Sequence, residues 1–436
     1  MIMISVEKAL KTVLINTKTL NSETVRLVDS LNRVIAKDIY SGINVPAFDN
    51  SAMDGYAVRS RDTTNTSKDK PKVLEVIDEL KAGDMPKKAL KERQAIRIMT
   101  GAPIPKGADA VIMVEETRQS RHCEGEARSN PEGCEDAKHP KQSKRLLRPF
   151  GARNDTVEIL KEVNFSENIR KRGEDIKRGE RVLRKGALLK SAHIGILASL
   201  GISSVRVTKK PRIAFLATGD ELIDLHKKIT PGKLYSSNTY SLYSQIISCG
   251  GIPENLGISK DDPEELEAKI RKGLDCDMIL TSGGVSVGDY DLVKLVLAKM
   301  GTDIKFWKVA MRPGKPLAFG HIRGIPVFGL PGNPVSSMVS FEVFVRPAVL
   351  KMLGQGGDHR NEIDAVLKEG ICKKKGLKYF LRAITRRESG RYVTRTTGPQ
   401  GSGILRSMAL ANSLIILPED VESAAKGEKV KIRFLE

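Results

Sequence analysis

From about residue 209 the chain repeats one pattern: a buried run, a glycine- or acid-rich turn, then a helix. PRIAFLATGDEL is a strand with a polar turn, and NTYSLYSQIISCGG is a helix closed by glycine. GIPENLGISKDDPEELEAKIRKGL, CDMILTSGGVSVGDYDLVKLVLAKMG and GIPVFGLPGNPVSSMVSFEVFVRPAVLKML each repeat strand, turn and helix. Apolar strands separated by helices of this length need crossover connections. The pattern therefore predicts a mostly parallel, doubly wound α/β domain over 191–350.

The rest of the chain reads as smaller pieces around that domain, which suits a length of 436 residues, too long for one core. SVEKALKTVLINT has helical apolar spacing, and 1–45 with 155–190 are expected to form an N-terminal and linker domain. KVLEVIDEL, QAIRIMTG and ADAVIMVEET mark a small β-rich domain at 46–154. FLRAITRRESGRYVTRTTG and SLIILPED mark a C-terminal β domain at 351–436. Within 118–154, charge of both signs replaces apolar periodicity, so an exposed, disordered insertion is expected there. Its His122, Cys123, Cys134 and His139 match no familiar zinc spacing.

Composition narrows the function classes. No apolar run approaches the 18 residues of a membrane span, and Glu7 and Lys8 interrupt any secretory core at the N-terminus. Five widely spaced cysteines fit a reducing compartment, so a cytoplasmic protein without membrane attachment is expected. The net charge of +20 raises nucleic acid as a partner. One tryptophan, eight tyrosines and a scattered basic excess argue instead for solvated lysines and small-anion pockets.

In a parallel sheet, ligands bind where strands run out into loops. ATGDE, ISKDD, TSGGVSVGDYD, KVAMRPGKP and LPGNPVSS should therefore share one rim. Gly283, Gly284 and Gly288 let backbone N–H groups cradle an anion, and Ser282 and Ser286 add hydroxyls. Asp289 reads as a helix cap or as a second acid of that loop. Asp262, Pro263 and Glu265 are ordinary helix-start chemistry, which leaves Asp261 without a structural task. Glu221, Asp261 and Asp291 form a candidate set for a hard cation such as Mg²⁺, bridging to phosphates. Arg312 and Lys315, aimed by two prolines, suit an oxyanion. In LPGNPVSS, Pro331 and Pro334 stiffen the turn, and the helix start offers N–H groups to an anion. No Ser-His-Asp arrangement is legible among six histidines, so covalent catalysis is not expected.

Taken in order, FDNSAMDGYAV, RIMTGAP, NIRKRGEDI, ATGDEL, TSGGVSVGDYD, MRPGKP and GLPGNPVSS resemble the molybdopterin molybdenumtransferase family, which includes MoeA and the gephyrin E domain. The resemblance covers nearly the whole chain except 118–154. It implies an elongated multidomain subunit that dimerises, with active sites shared between protomers. The implied reaction inserts molybdate into adenylylated molybdopterin with Mg²⁺, releasing AMP and molybdenum cofactor. A molybdopterin adenylyltransferase is the implied upstream partner. By match to the family's motifs, Asp54, Thr100, Asp175, Glu221, Asp261 and Asp291 are expected at the reaction centre. Lys308, Arg312, Lys315, Pro331, Asn333, Pro334 and Ser336 fall in the anion-handling loops, and Arg382 and Ser402 match C-terminal molybdate contributors. Many relatives carry Lys where this chain has Arg312. The rival functions are an adenylyltransferase-like step on the same core and a gephyrin-like binding scaffold.

Overall fold

The computed structural model describes residues 3–120, 155–284, 292–355 and 362–435. They form two compact units, one of Met1–Asp38 with Leu183–Glu436 and one of Ile39–Val182.

The first unit is built on a six-stranded sheet. Its strands in chain order are β1 (Arg212–Thr218), β2 (Ile252–Ser259), β3 (Met278–Ser282), β4 (Asp303–Lys308), β5 (Pro316–Ile322) and β6 (Ile325–Leu330). Across the sheet they run β2-β1-β3-β6-β5-β4. The first four pair in parallel, whereas β5 is antiparallel to both β6 and β4. Two antiparallel steps return β4 to the direction of β6. Strands β1, β2, β3, β4 and β6 therefore all end on one rim, as the sequence requires for its five loops. The hairpin from β5 to β6 turns on Arg323 and Gly324, both at positive φ (50° and 83°). Such a two-residue turn matches the twist of its strands.

Side chains alternate across this sheet because successive residues of a strand face opposite ways. Ile213 and Phe215 join one buried cluster, with Leu242 and Ile246 from the helix Ser237–Ser248. Ala214 and Leu216 join the other, with Leu266 and Ile270 from Pro263–Lys272 and with Val293, Val296 and Leu297 from Leu292–Lys299. The i, i+4 spacing of each helical pair is what lets one helix face cover the sheet. Both faces are thus covered, which makes the sheet doubly wound.

The opening helix, Val6–Ile15, is capped by Ser5, whose Oγ accepts from Lys8 N at 3.2 Å. It buries Val6, Ala9 and Val13 in the first of those clusters. It belongs to the first unit, whereas 155–182, with which the sequence pattern grouped it, belong to the second.

The C-terminal strands close on themselves. Lys378–Glu388 pairs with Arg391–Thr396, which pairs with Ile363–Leu367, then Lys429–Phe434, then Ser413–Leu417, which returns to Lys378–Glu388. This five-stranded ring removes free edges. Its own core includes Ala365, Leu381, Ile415 and Ile432.

The second unit holds another six-stranded sheet, ordered Ala110–Met113, Gly55–Val58, Gln94–Ile98, Lys72–Leu80, Thr156–Ile159, Thr117–Ser120. Thr117–Ser120 and Thr156–Ile159 pair antiparallel, so the strand does resume across the predicted insertion. Residues 118–120, placed in that insertion by composition, belong to the hairpin. Residues 121–154, with His122, Cys123, Cys134 and His139, lie outside the described residues.

Candidate functional site

The rim of the first unit is graded in charge. At its β2–β1 edge, Asp261 N–H donates to Asp220 Oδ1 at 3.2 Å, which ties the loop after β2 to the loop after β1. Asp262 caps the next helix, accepting from Glu264 N at 2.9 Å. Glu265 accepts from Lys260 N at 3.3 Å, not from the cap residue itself. That leaves the Asp261 carboxylate exposed. Glu221 is folded back over Gly219, where any Cβ would come within 2.5 Å of Glu221 Oε2. Among the described residues no three His, Cys, Asp or Glu side chains converge as a metal cluster. Asp291, the third acid of the expected set, lies outside them, as do Ser286, Gly288 and Asp289. Two carboxylates on adjoining loops nonetheless suit a cation such as Mg²⁺, which takes one or two protein carboxylates plus phosphate oxygens.

The glycine loops come next along the rim. Gly283 (φ +97°) and Gly284 (φ +63°) sit where a Cβ would meet Thr218 O and Val293 Cγ2, each at 2.6 Å. A Cβ on Gly332 would lie 3.5 Å from Gly283 Cα, so the loops after β3 and β6 approach closely. Ser282, expected to offer its hydroxyl to a ligand, is only 1% exposed. Its Oγ accepts from Asn238 Nδ2 at 2.7 Å, and the same amide donates to Gly332 O at 2.8 Å. Ser282 is therefore a brace between the loops. Asn238 is a rim residue that the sequence did not single out, since a polar residue in the first turn of a helix is unremarkable. Its Oδ1 and the hydroxyl of Thr218, both buried, have no described partner.

The expectation of free N–H groups at the start of the helix Pro334–Ser340 needs correction. Pro334 has none, and Val335 N donates to Ser402 O at 3.1 Å. Asn333 occupies the cap position without a side-chain cap bond, and its carbonyl accepts from Ser337 N at 2.9 Å. Pro331 and Ser336 are buried, Ser336 at 4% exposure in the first turn. The Ser402 contact gives the loop a different use: it joins the rim to the C-terminal ring.

A second seam does the same. Met311–Arg312 pairs in parallel with Lys378–Tyr379, adding the loop after β4 to the ring's longest strand. Lys308, half-buried, ends β4, while Arg312 and Lys315 are exposed around the buried Pro313 and Gly314. Gly314 (φ +101°) is held where a Cβ would lie 2.6 Å from Ser340 Oγ. Arg312 Nη1 donates to Tyr379 Oη at 3.5 Å, and its guanidinium stands 5.6 Å from that ring's centroid.

Arg312, Pro313 and Tyr379 border a pocket of about 790 Å³ that also includes Arg382, Gln400 and Gly401, whereas Lys308 and Lys315 do not line it. Arg382 is 0% exposed. Its Nε donates to Ser407 Oγ at 3.1 Å and Nη2 to Gly401 O at 2.9 Å, while Nη1 has no partner among the described residues. Burial pulls its pKa down from 12.5 to about 10. A buried guanidinium held only by neutral acceptors is costly, and an anion entering the pocket is the partner that would relieve that cost.

In the second unit, Asp54 and Thr100 meet across 46 positions of sequence. Asp54 Oδ1 accepts from Thr100 N at 2.7 Å and from Thr100 Oγ1 at 2.8 Å. These two bonds hold the carboxyl below its usual range, the backbone bond contributing most. The following Gly55 is required by packing, because a Cβ there would lie 1.8 Å from Ile112 O. Asp175 is exposed on another turn, with its N–H on Val45 O at 3.0 Å. No described hydrogen bond links it to the Asp54–Thr100 pair.

Comparison with known proteins accounts for most of the chain in three consecutive matches. Residues 4–201 match the MoeA N-terminal region (domain I and II), 214–351 a probable molybdopterin binding domain, and 364–435 the MoeA C-terminal region (domain IV). A molybdopterin molybdenumtransferase of Bacillus subtilis (strain 168) is 36% identical over 433 residues, covering 99% of this chain and 94% of that protein. One from Haemophilus influenzae is 34% identical over 420 residues, covering 94% and 93%. The crystal structure of a molybdopterin biosynthesis MoeA protein from Pyrococcus horikoshii OT3 superposes with a TM-score of 0.78 at 30% identity, over 99% of this chain and 100% of that one. The chain belongs to the molybdopterin molybdenumtransferase (MoeA) family.

Proposed function

We propose that this chain inserts molybdate into adenylylated molybdopterin, releasing AMP and molybdenum cofactor. The observation that carries the reading is Arg382: a fully buried guanidinium with an unpartnered Nη1, in a pocket it shares with Arg312. An oxyanion fits that vacancy in hydrogen bonding, through charge-assisted N–H contacts.

The grading of the rim supports an extended second substrate. The acidic loops follow β1 and β2, and the basic loop follows β4 at the opposite edge of the sheet. Neighbouring strands lie about 4.8 Å apart, so four or five steps separate these ends by roughly 20 Å. A single molybdate cannot touch both. A molybdopterin adenylate can place its phosphoanhydride toward Glu221 and Asp261 and its metal-accepting end toward Arg312 and Arg382.

In this reading Glu221 and Asp261, with Asp291 of the family motif, would hold Mg²⁺. Bound there, the cation supplies charge neutralisation and Lewis acidity at the phosphoanhydride. Gly283 and Gly284 allow the loop backbone to approach the phosphates closely. Arg312, Lys315, Lys308 and Arg382 orient the oxyanion, and Ser402 and the Asn333–Ser336 segment keep the ring docked on the rim. Asp54 and Thr100 form a polar corner whose carboxylate stays ionised, and the family match assigns both, and separately Asp175, to the reaction. The working form is a cytoplasmic homodimer with shared sites, supplied by a molybdopterin adenylyltransferase.

The test is AMP release from adenylylated molybdopterin on addition of molybdate and Mg²⁺. Release requiring both supports the reading. No release with either ion, or release independent of molybdate, counts against it. The shared site has its own check: mixing Asp54→Asn and Asp261→Asn proteins should restore part of the activity that each lacks alone.

A further inference from the structure

The oxyanion pocket carries two cations more than the family motifs pick out, Lys373 and the exposed Lys374, and only the first is held in place by described contacts. Lys373 lies on the turn after the short strand Ile371–Cys372, and its side chain lines the same pocket as Arg312 and Arg382. Its ammonium donates to Leu377 O at 3.0 Å and to Glu419 O at 3.2 Å, both neutral carbonyls. It also stands 5.2 Å from the centroid of the Tyr379 ring, whose other described cation is Arg312 at 5.6 Å. The pocket's one carboxylate, Glu369, is turned to Thr396, accepting from Thr396 N at 2.8 Å and from its hydroxyl at 2.5 Å. Among the described residues, then, Arg312, Lys373, Lys374 and Arg382 border one pocket, and none of them has a described carboxylate partner.

Four cations do not gather without a counter-charge unless something offsets their repulsion. The Tyr379 ring offsets part of it, since an aromatic face attracts cations. It also keeps Arg312 and Lys373 at fixed places. Arg382, fully buried and with no described partner for Nη1, adds a further charge that lacks a described counter-ion.

We propose that Lys373 is a further oxyanion-binding residue and that Tyr379 is the positioning residue that holds it and Arg312 at the pocket. The proposal rests on the oxyanion reading of the pocket given above. Lys373 supplies a compact ammonium at the more open side, while Arg382 binds from inside the ring. Tyr379 contributes its ring as a spacer and its hydroxyl as acceptor for Arg312.

The experiment is direct titration of the full chain with molybdate alone, at low and at physiological ionic strength. Lys373→Met should weaken binding about tenfold, the lower range for losing one charge-assisted contact, and should flatten the salt dependence. Lys373→Arg should restore most of the affinity. Lys375→Met is the control: it removes a charge on the same turn, but Lys375 pairs with Glu422 at 3.8 Å and does not border the pocket. Tyr379→Leu should weaken binding and lessen the effect of a second Lys373→Met change. A separate readout uses Cys372, which is exposed and borders the pocket, whereas Cys249 and Cys276 are buried. Molybdate should slow alkylation of Cys372, followed by peptide mass, in the wild type and at tenfold higher concentration in Lys373→Met. Wild-type-like affinity in Lys373→Met, or equal losses in Lys373→Met and Lys375→Met, would overturn the assignment and leave the pocket's oxyanion reading standing. A wild-type protein that binds no molybdate would overturn both.

Discussion

Arg382 in the C-terminal ring and Asp54 in the second unit hold charge in opposite ways. Asp54 is exposed and served on one side: two donors from Thr100 converge on Oδ1 and favour the ionised form. Arg382 is buried and underserved, with one nitrogen unpartnered among the described residues and the charged form disfavoured by burial. The first charge is favoured by its own neighbours. The second is incomplete until an anion arrives, so the structure separates a charge kept ready from a charge kept waiting.

The largest expected effect tests the waiting charge. Arg382→Met should lower molybdate-dependent AMP release by about a hundredfold, the upper range for losing a charge-assisted contact. It should not destabilise the protein, because replacing an unpaired buried charge by an apolar side chain of similar length is neutral or favourable. A variant that melts several degrees lower would make Arg382 a structural strut and dissolve the comparison.

A smaller effect comes from the ligand itself. An anion that binds only the folded state stabilises it by about 2.7 kcal/mol at a hundred times its Kd. Molybdate should therefore raise the melting temperature of the wild type and of Asp54→Asn, but not of Arg382→Met. Equal shifts in all three, read by differential scanning fluorimetry, would place the anion elsewhere.

How much of this was legible beforehand depends on the length scale of the signal. The rim was legible because each strand, turn and helix is written locally, and five such units had to share an edge. The antiparallel return through β5 was not, since Arg323-Gly324 is a weaker hairpin signal than Asn-Gly. Asp54 and Thr100 were matched from motifs, yet their contact spans 46 positions and no local pattern states it. Arg382 reads in KYFLRAITRRE as one more arginine in a strand. Its burial depends on Ser407, Gly401 and the closing of the ring, all distant in sequence. Ser282 shows the converse: a hydroxyl in a glycine loop looked like a ligand donor until Asn238 was seen to occupy it.

The two charges should also respond to pH in different windows. Asp54 has a folded pKa below its unfolded value near 3.9. Its contribution to stability is present above that value and is lost as pH falls through the folded pKa. Arg382 is a base whose pKa is depressed to about 10. Its burial cost is present at neutral pH and is relieved only as pH rises past about 10. The stability gap between wild type and Asp54→Asn should thus close in acid, and that between wild type and Arg382→Met should close in alkali. Denaturant melts at pH 3, 7 and 10.5 would read both. Parallel curves across that range would mean that neither charge is held as described.

The smallest expected effect concerns residues 121–154. The strands that flank them, Thr117–Ser120 and Thr156–Ile159, pair antiparallel, with Ser120 opposite Thr156. A short turn can therefore connect the strands without changing their register. In the sheet this hairpin lies at one end, and Gly55–Val58, which follows Asp54, lies three and four strands away. Loop-closure entropy changes only slowly with loop length, so shortening the connection should alter stability by no more than about 1–2 kcal/mol, and in the stabilising direction. Replacing 121–154 by a Gly/Ser turn should leave AMP release, molybdate affinity and the acid-side behaviour of Asp54 close to wild type. Loss of activity with the melting temperature retained would show that the segment reaches one of the two charged sites. Loss of both would show that the hairpin needs it to form, and the register seen between Ser120 and Thr156 would not be self-sufficient.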